Sequence, residues 1–112
     1  MSLAYDAQMV FIETPLFTKR VKAILDDDSY AAFQHHLADQ PTAGDVIEGT
    51  GGLRKIRVAA SGRGKRGGAR VIYFHFVALA RIAMLHIYTK NEQAELSAEE
   101  KDALRRIIER WR

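Results

Sequence analysis

Residues 69–89 have the sequence ARVIYFHFVALARIAMLHIYT, which contains two runs rich in β-branched and aromatic residues, at 69–77 and 82–89. A similar run, LRKIRVAA, precedes them at 53–60. Such runs predict β-strands, and strands this close in sequence pair as an antiparallel meander. The stretch therefore predicts three consecutive strands, the first two of which are joined by the glycine-rich, basic segment 61–68.

A strand and two helices are predicted before this meander. Residues 9–13 are β-branched or aromatic at most positions and predict a short first strand. Thr14 followed by Pro15 is typical of a helix N-terminus, and apolar residues at helical spacing follow it. The acidic residues 26–28 predict the cap of a second helix rather than a metal site.

One more helix is predicted after the meander, since Ser97 and Glu100 have the spacing of a capping box. The predicted fold class is α+β, with elements in the order β-α-α-β-β-β-α. It has a four-stranded, largely antiparallel sheet, two N-terminal helices and one C-terminal helix. We expect a single domain over residues 9–112, and in residues 1–8 an unstructured lead-in or residues added for expression.

The composition argues against several classes of protein. The chain has no cysteine, which excludes a disulfide framework, thiolate catalysis and a cysteine-based zinc site. It contains no run of about 18 apolar residues, as a membrane span needs, and its N-terminus lacks the basic-then-apolar pattern of a secretory signal. We therefore expect a cytoplasmic protein without a membrane partner.

Positive charge is concentrated in the middle of the sequence. The chain carries a net charge of only +3, but no acidic residue occurs between Glu48 and Glu92, a stretch with nine lysines and arginines. The remaining eight basic residues are outweighed by all 14 acidic ones. A basic block of this density predicts a surface that binds a polyanion, and nucleic acid is the leading candidate.

Strand alternation predicts which face of the sheet carries this charge. The face packed against helices is expected to take Ile56, Val58, Val71, Leu85 and Ile87. The opposite, open face is then expected to carry Lys55, Arg57, Arg70, Tyr88 and Lys90. His86 shares the parity of that face and is a weaker candidate for acid–base chemistry. Four cations beside a phenol predict a binding site for a phosphodiester.

The loop sequence GRGKRG at 62–67 matches the pattern G-x-G-x-x-G, but a strand is predicted after it. A dinucleotide-binding loop must lie between a strand and a helix, so we interpret this loop as a basic hairpin tip that contacts a phosphate backbone. The cationic region contains no carboxylate to hold a metal ion, so neither a metal nor another cofactor is expected.

Metal-independent RNA cleavage is compatible with this composition. The 2′-hydroxyl attacks the adjacent phosphate, and the reaction needs charge stabilisation, a proton acceptor and a proton donor. Arg70 can bind two phosphate oxygens at once. Lysine and tyrosine side chains can transfer protons where neighbouring cations lower their pKa values.

Three segments together resemble the HigB branch of RelE-like toxins: GTGGLRKIR at 49–57, GKRGGARVIY at 64–73 and IYTKNE at 87–92. The resemblance extends over about positions 9–112 in the order of elements. It implies the RelE fold, ribosome-dependent cleavage of mRNA in the A site, and neutralisation by an antitoxin with a helix-turn-helix domain.

The same resemblance implies roles for individual residues. Lys55 and Arg57 match phosphate-contacting residues, Arg70 matches an arginine that stabilises the transition state, and Lys90 matches a basic residue at the end of the last strand. RelE uses a tyrosine after that strand for proton transfer. Residues 93–97 contain none, so Tyr88 is the nearest substitute. Further RNA contacts are expected from Arg54, Arg63, Lys65, Arg66 and Asn91.

Two alternatives remain open at this point. A non-enzymatic RNA- or ribosome-binding module on the same fold is favoured by the missing tyrosine. A small-molecule enzyme is disfavoured by the open cationic face. For the antitoxin, we expect either an acidic segment that covers the cationic face or steric blocking of the ribosome from the helical side.

The hairpin tip generates a first prediction. The affinity of the chain for single-stranded RNA is expected to fall with salt, with a log–log slope of about −0.7 per phosphate neutralised. Replacing both Lys65 and Arg66 by alanine is expected to flatten that slope in a salt titration. An unchanged slope would mean that the tip does not touch RNA.

Overall fold

The structure is a computed structural model that describes residues 9–59 and 68–111. Its elements, in chain order, are β1 (Val10–Glu13), α1 (Pro15–Ile24), α2 (Asp27–Asp39), β2 (Asp45–Val46), β3 (Arg54–Val58), β4 (Ala69–Phe76), β5 (Arg81–Thr89) and α3 (Ala98–Trp111). A single 3-10 turn, Val77–Leu79, connects β4 to β5. The α+β class and the three helices are confirmed. No helix in these ranges is long and apolar enough to cross a membrane.

The strands form one mixed sheet in the order β1-β5-β4-β3-β2. Strands β2 to β5 pair antiparallel, whereas β1 lies parallel to β5 at the edge of the sheet. The sheet therefore has five strands, one more than the four predicted. The additional strand, β2, contains only two residues, too few for any alternation of apolar and polar side chains.

The predicted helix caps are present. Thr14 caps α1, since its Oγ1 accepts a hydrogen bond from the Phe17 amide at 3.1 Å and donates one to the Leu85 carbonyl at 3.0 Å. Asp26 caps α2 by accepting from the Ser29 amide at 2.7 Å. At the start of α3 both capping-box bonds form, because the Glu100 amide donates to Ser97 Oγ and the Ser97 amide donates to Glu100 Oε1.

Helices cover both faces of the sheet and produce two hydrophobic cores. Helices α1 and α2 pack on one face, in a core that includes Phe17, Leu37, Val71, Tyr73 and Ile87. Helix α3 packs on the other face, in a core that includes Leu53, Ile72, Leu85, Tyr88 and Ile108. The expectation of an open second face is therefore wrong for the part of the sheet that α3 covers.

A β-bulge in β5 changes which of its side chains face each core. Ile72 pairs with His86 and Tyr73 pairs with Met84, so Leu85 is an extra residue in β5 without a partner in β4. The extra residue shifts the alternation, since a bulge places two residues opposite one. Met84 and Ile87 consequently enter the same core, and Leu85 enters the other. The prediction that Leu85 shares a face with Ile87 is wrong.

Two buried tyrosines generate a test of these cores. The Tyr73 hydroxyl accepts from the Gly44 amide at 2.9 Å and donates to the Pro41 carbonyl at 2.8 Å. Tyr73→Phe leaves both backbone groups without this partner and is expected to lower the free energy of unfolding by about 1–3 kcal/mol. The measurement is urea denaturation.

Tyr88→Phe is the matched control for that experiment. Both side chains are 0% exposed, but the Tyr88 hydroxyl has no hydrogen-bond partner within the described ranges. Removing an unpaired buried hydroxyl is expected to change stability by less than about 0.5 kcal/mol or to increase it. Equal losses in the two variants would contradict this account of the Tyr73 hydrogen bonds.

Candidate RNA-binding site

Three residues of the predicted site lie side by side on the three central strands, near one end of the sheet. Arg57 of β3 pairs with Arg70 of β4, and Arg70 pairs with Tyr88 of β5. In the next row on the same face, Lys55 pairs with Ile72, which pairs with His86. Cross-strand neighbours have Cα atoms about 4.5–5.5 Å apart, so the two guanidinium groups start from adjacent positions.

Arg57 is exposed and Arg70 is half-buried. Like charges directly opposite each other destabilise a sheet unless an anion lies between them. Lys55 lies two residues before Arg57 on β3, and the exposed Lys90 directly follows the Ala69–Thr89 pair at the same end of the sheet. We refer to Lys55, Arg57, Arg70 and Lys90 as the cationic surface. Its geometry suits an extended polyanion.

Tyr88 belongs to the row of Arg57 and Arg70 but is completely buried, in the core that also contains Leu96. Burial raises its pKa, and Glu100 and Glu95 raise it further, while the Arg70 guanidinium acts in the opposite direction. The phenol therefore remains protonated at neutral pH. The expectation that Tyr88 lies on an open surface is wrong, because α3 and the segment that leads into it cover it.

His86 shares that covered region. Its ring centroid lies 5.5 Å from that of Tyr88, and its Nε2 atom lies 3.8 Å from Glu100 Oε2. Burial lowers the pKa of His86, and the nearby Glu100 carboxylate raises it in part. The net effect is a lowered pKa, so the imidazole is neutral at pH 7 and does not add to the positive charge of the cationic surface.

The remaining predicted RNA contacts are placed differently. Asn91 is exposed beside Lys90. Arg54 lies on the opposite face from Arg57, where its Nη1 donates to the carbonyl of Gly44 at 2.7 Å and to that of Thr42 at 3.3 Å. These hydrogen bonds hold the segment before β2 in place, and Arg54 is not part of the cationic surface. The remaining three predicted contacts lie outside the described residues: Arg63, Lys65 and Arg66.

Gly68 has a role in placing Arg70 that the sequence did not indicate. The sequence shows a glycine-rich segment before β4, but it does not show that the backbone of the protein requires glycine at position 68. Gly68 has a φ of +57°, and a Cβ atom there would lie 2.4 Å from the Val58 carbonyl oxygen. Only glycine fits so close to the end of β3, and β4 begins at the next residue.

Arg20 and Glu92 form a contact that sequence reasoning missed. Arg20 of α1 donates through Nε to the Ile87 carbonyl at 2.8 Å and through Nη2 to Glu92 Oε1 at 2.5 Å. The same Glu92 oxygen accepts from the Thr89 amide at 2.8 Å. These bonds fix the turn that presents Lys90. The partners are 72 positions apart, and no local pattern connects them.

No group of three or more histidine, aspartate or glutamate side chains that could hold a metal ion occurs within residues 9–59 and 68–111.

Comparison with known proteins identifies the class of this fold. The isolated RelE toxin of E. coli superimposes with a TM-score of 0.57 at 14% identity, covering 89% of this chain and 99% of that one. A mutant RelE in the free state gives 0.59 at 12% identity, covering 89% and 97%. The chain in the E. coli RelBE toxin–antitoxin complex gives 0.57 at 12% identity, covering 73% and 96%.

The fold is therefore that of RelE. A family model described as the RelE toxin of the RelE/RelB toxin–antitoxin system matches residues 17–112. The chain belongs to the RelE toxin family, and it is a toxin of a toxin–antitoxin system.

The Arg20–Glu92 ion pair generates a pH prediction. Hydrogen bonds from Arg20 and from the Thr89 amide lower the pKa of Glu92. A carboxylate with a lowered pKa in the folded state stabilises the protein above its ordinary pKa of about 4, and this contribution is lost as the pH falls through the folded value. Because Glu92 is 45% exposed, Glu92→Gln is expected to cost less than about 1 kcal/mol at pH 7.

Denaturant titrations of the parent chain and of Glu92→Gln at several pH values provide the measurement. The difference in stability is expected to shrink towards zero below about pH 4. Glu99→Gln is the control, since it removes the same charge from an exposed position at the start of α3. A difference that grows on acidification would contradict the assigned ion pair.

Proposed function

We propose that this chain is a HigB-branch toxin that cleaves mRNA in the ribosomal A site by metal-independent attack of the 2′-hydroxyl group. The observation that carries the proposal is the pairing of Arg57 with Arg70 on adjacent strands, with Lys55 and Lys90 beside them. Four cations at the exposed end of a β-sheet form a preorganised site for consecutive phosphates.

In this mechanism Arg70 stabilises the transition state. As the 2′-oxygen bonds to phosphorus and the bond to the 5′-oxygen breaks, negative charge accumulates on the non-bridging phosphate oxygens. A guanidinium group can bind two of these oxygens in a fork and remains charged at any working pH. Arg57 and Lys55 hold the flanking phosphates, and Lys90 and Asn91 approach from the end of β5.

Proton transfer requires an acceptor for the 2′-hydroxyl proton and a donor for the leaving 5′-oxygen. Tyr88 is protonated because burial raises its pKa, so it suits the donor role and not that of the base. It can reach RNA only if α3 and the segment that leads into it, which contains Leu96, move away from the sheet. The acceptor in this proposal is Lys55 or Lys90, which must give up its ammonium proton before this step and regains one from the 2′-hydroxyl group.

The burial of Tyr88 favours one other candidate function. Without that movement, the cationic surface offers cations but no phenol, and the chain would bind RNA or the ribosome without cleaving mRNA. A cleavage assay during translation separates the two, since the non-catalytic module would associate with ribosomes and leave the mRNA intact.

The proposed setting is the bacterial cytoplasm, where the chain acts on the ribosome and on the mRNA in its A site. The reaction as proposed uses no metal or other cofactor. The proposed partner is a HigA-like antitoxin with a helix-turn-helix domain. Support for a protein partner comes from the family, whose description names a toxin–antitoxin system.

Arg70 provides the decisive test of this function. Arg70→Ala is expected to lower the rate of ribosome-dependent mRNA cleavage by about a hundredfold or more, because a preorganised charge is lost from the transition state. Arg70→Lys is expected to recover only part of that rate, since an ammonium group cannot form the fork. The measurement is mapping of cleaved mRNA in a translation reaction with purified ribosomes.

Arg81→Ala is the matched control for this substitution. Arg81 is an exposed arginine on the same β4–β5 pair, but it pairs with Phe76 at the far end from Arg70. We expect Arg81→Ala to cleave mRNA at the parent rate. We expect the free energies of unfolding of Arg81→Ala and Arg70→Ala to lie within about 1 kcal/mol of the parent value. Cleavage by Arg70→Ala at the parent rate would move the catalytic site elsewhere.

A further inference from the structure

Exposed hydrophobic side chains are concentrated on one side of the molecule. Six large hydrophobic residues are exposed in the described ranges: Val10, Leu16, Val46, Val77, Leu79 and Trp111. All except Val46 lie on or beside three neighbouring elements, namely β1 with the start of α1, the Val77–Leu79 turn, and the end of α3. Contiguous exposed apolar surface of this kind marks an interaction site in a soluble protein.

Two cavities lie along this surface. One, of about 380 Å³, is bounded by Pro15 and Leu16 on one side and by Ala103, Leu104 and Ile107 of α3 on the other. The second, of about 200 Å³, is lined by Ile12, Phe76, Leu79, Arg81 and Trp111. Ile107 and Trp111 are four residues apart on α3, so the cavities follow each other about one helical turn apart. We call the two cavities together the β1–α3 groove.

The two ends of the groove carry different polar groups. Glu100 and His86 lie at the end of the larger cavity, and the His86 Nε2 atom is buried without a hydrogen-bond partner in the described part of the chain. Arg81 is exposed in the wall of the smaller cavity. A segment that fits the groove therefore needs apolar side chains in its middle and an acidic group at the Arg81 end.

We propose that the β1–α3 groove is the docking surface for an amphipathic segment of the antitoxin. Two apolar side chains of that segment fill the two cavities, and an acidic side chain pairs with Arg81. The proposal rests on the toxin–antitoxin assignment and is independent of how the cationic surface acts on RNA. It selects the helical side of the toxin rather than an acidic cover over the cationic surface.

The location of the groove has a consequence for inhibition. Arg70 and Phe76, which lines the smaller cavity, are six positions apart on β4, a distance of about 20 Å along the strand. His86, which lines the larger cavity, lies in the row next to that of Arg70. An antitoxin segment in the groove therefore starts beside His86 and runs away from Arg70 towards Phe76. It neutralises the toxin by its bulk, which prevents the toxin from entering the ribosome.

The test measures the affinity of the purified cognate antitoxin for charge-insertion variants of the toxin. Leu16→Glu and Leu79→Glu are each expected to weaken the Kd by at least about thirtyfold, because they place a carboxylate where an apolar side chain docks. Val46→Glu is the matched control and is expected to bind within about threefold of the parent. The three side chains are 53%, 54% and 55% exposed, and Val46 lies on β2 at the opposite edge of the sheet.

A fourth variant tests the charged end of the groove without adding a group to an apolar position. Arg81→Glu is expected to weaken antitoxin binding at least about tenfold, and Arg81→Lys to restore most of the affinity. Parental affinity in Leu16→Glu, Leu79→Glu and Arg81→Glu would overturn the proposal. Losses in Val46→Glu equal to those in the groove variants would overturn it as well.

The same variants distinguish a failure of this docking proposal from a failure of the proposed RNA cleavage. Leu79→Glu is expected to cleave ribosome-bound mRNA at the parent rate and to resist inhibition by the antitoxin. A parent chain that does not cleave, together with groove variants that lose antitoxin binding, would refute the catalytic proposal and support the groove. A concentration-dependent dimer that Leu79→Glu disrupts, with unchanged antitoxin affinity, would assign the groove to a second copy of the chain and overturn the proposal.

Discussion

The antiparallel pairing of β4 with β5 is the constraint on which the rest of the structure depends. These are the two longest strands, and both lie inside the sheet. One face of the pair supplies Val71, Tyr73, Met84 and Ile87 to the core beneath α1 and α2, and the other supplies Ile72, Leu85 and Tyr88 to the core beneath α3. The register of this pair also brings Tyr88 beside Arg70. A shift of one residue would exchange the two faces and dismantle both cores and the site.

The site itself works against stability in two places. Arg57 and Arg70 face each other across strands, where like charges repel. Beside them on the same face, the Tyr88 hydroxyl and the His86 Nε2 atom are buried without hydrogen-bond partners in the described part of the chain, although such atoms are nearly always paired in proteins. Local conflicts of this kind are expected at functional sites. Nothing in the packing of the two cores requires this set of polar groups.

The sequence was sufficient for the features that depend on local chemistry. Thr14, Asp26, Ser97 and Glu100 cap their helices because capping needs only a side chain within three residues of the amide that it accepts from. The location of Arg57 and Arg70 on one face followed from strand alternation, whereas their direct pairing depends on the register of β3 and β4, which alternation does not fix. The features that escaped prediction depend on contacts between distant residues. The bulge at Leu85 is visible only once β4 lies beside β5, and Arg20 meets Glu92 only because α1 packs on β5.

The two ends of the β4–β5 pair differ in a way that fits two kinds of partner. At the Arg70 end the side chains are cationic and partly or fully exposed, which suits a ligand whose charge is spread along a backbone and whose binding must remain reversible. At the Arg81 end the surface is apolar and contains cavities, which suits a folded or folding protein segment that binds by excluding water. A single surface could not combine both properties, because apolar contacts around the arginines would strip them of water without supplying phosphate oxygens in exchange. The length of the strand pair keeps Arg81 and the smaller cavity apart from Arg70, so that each end can suit its own ligand.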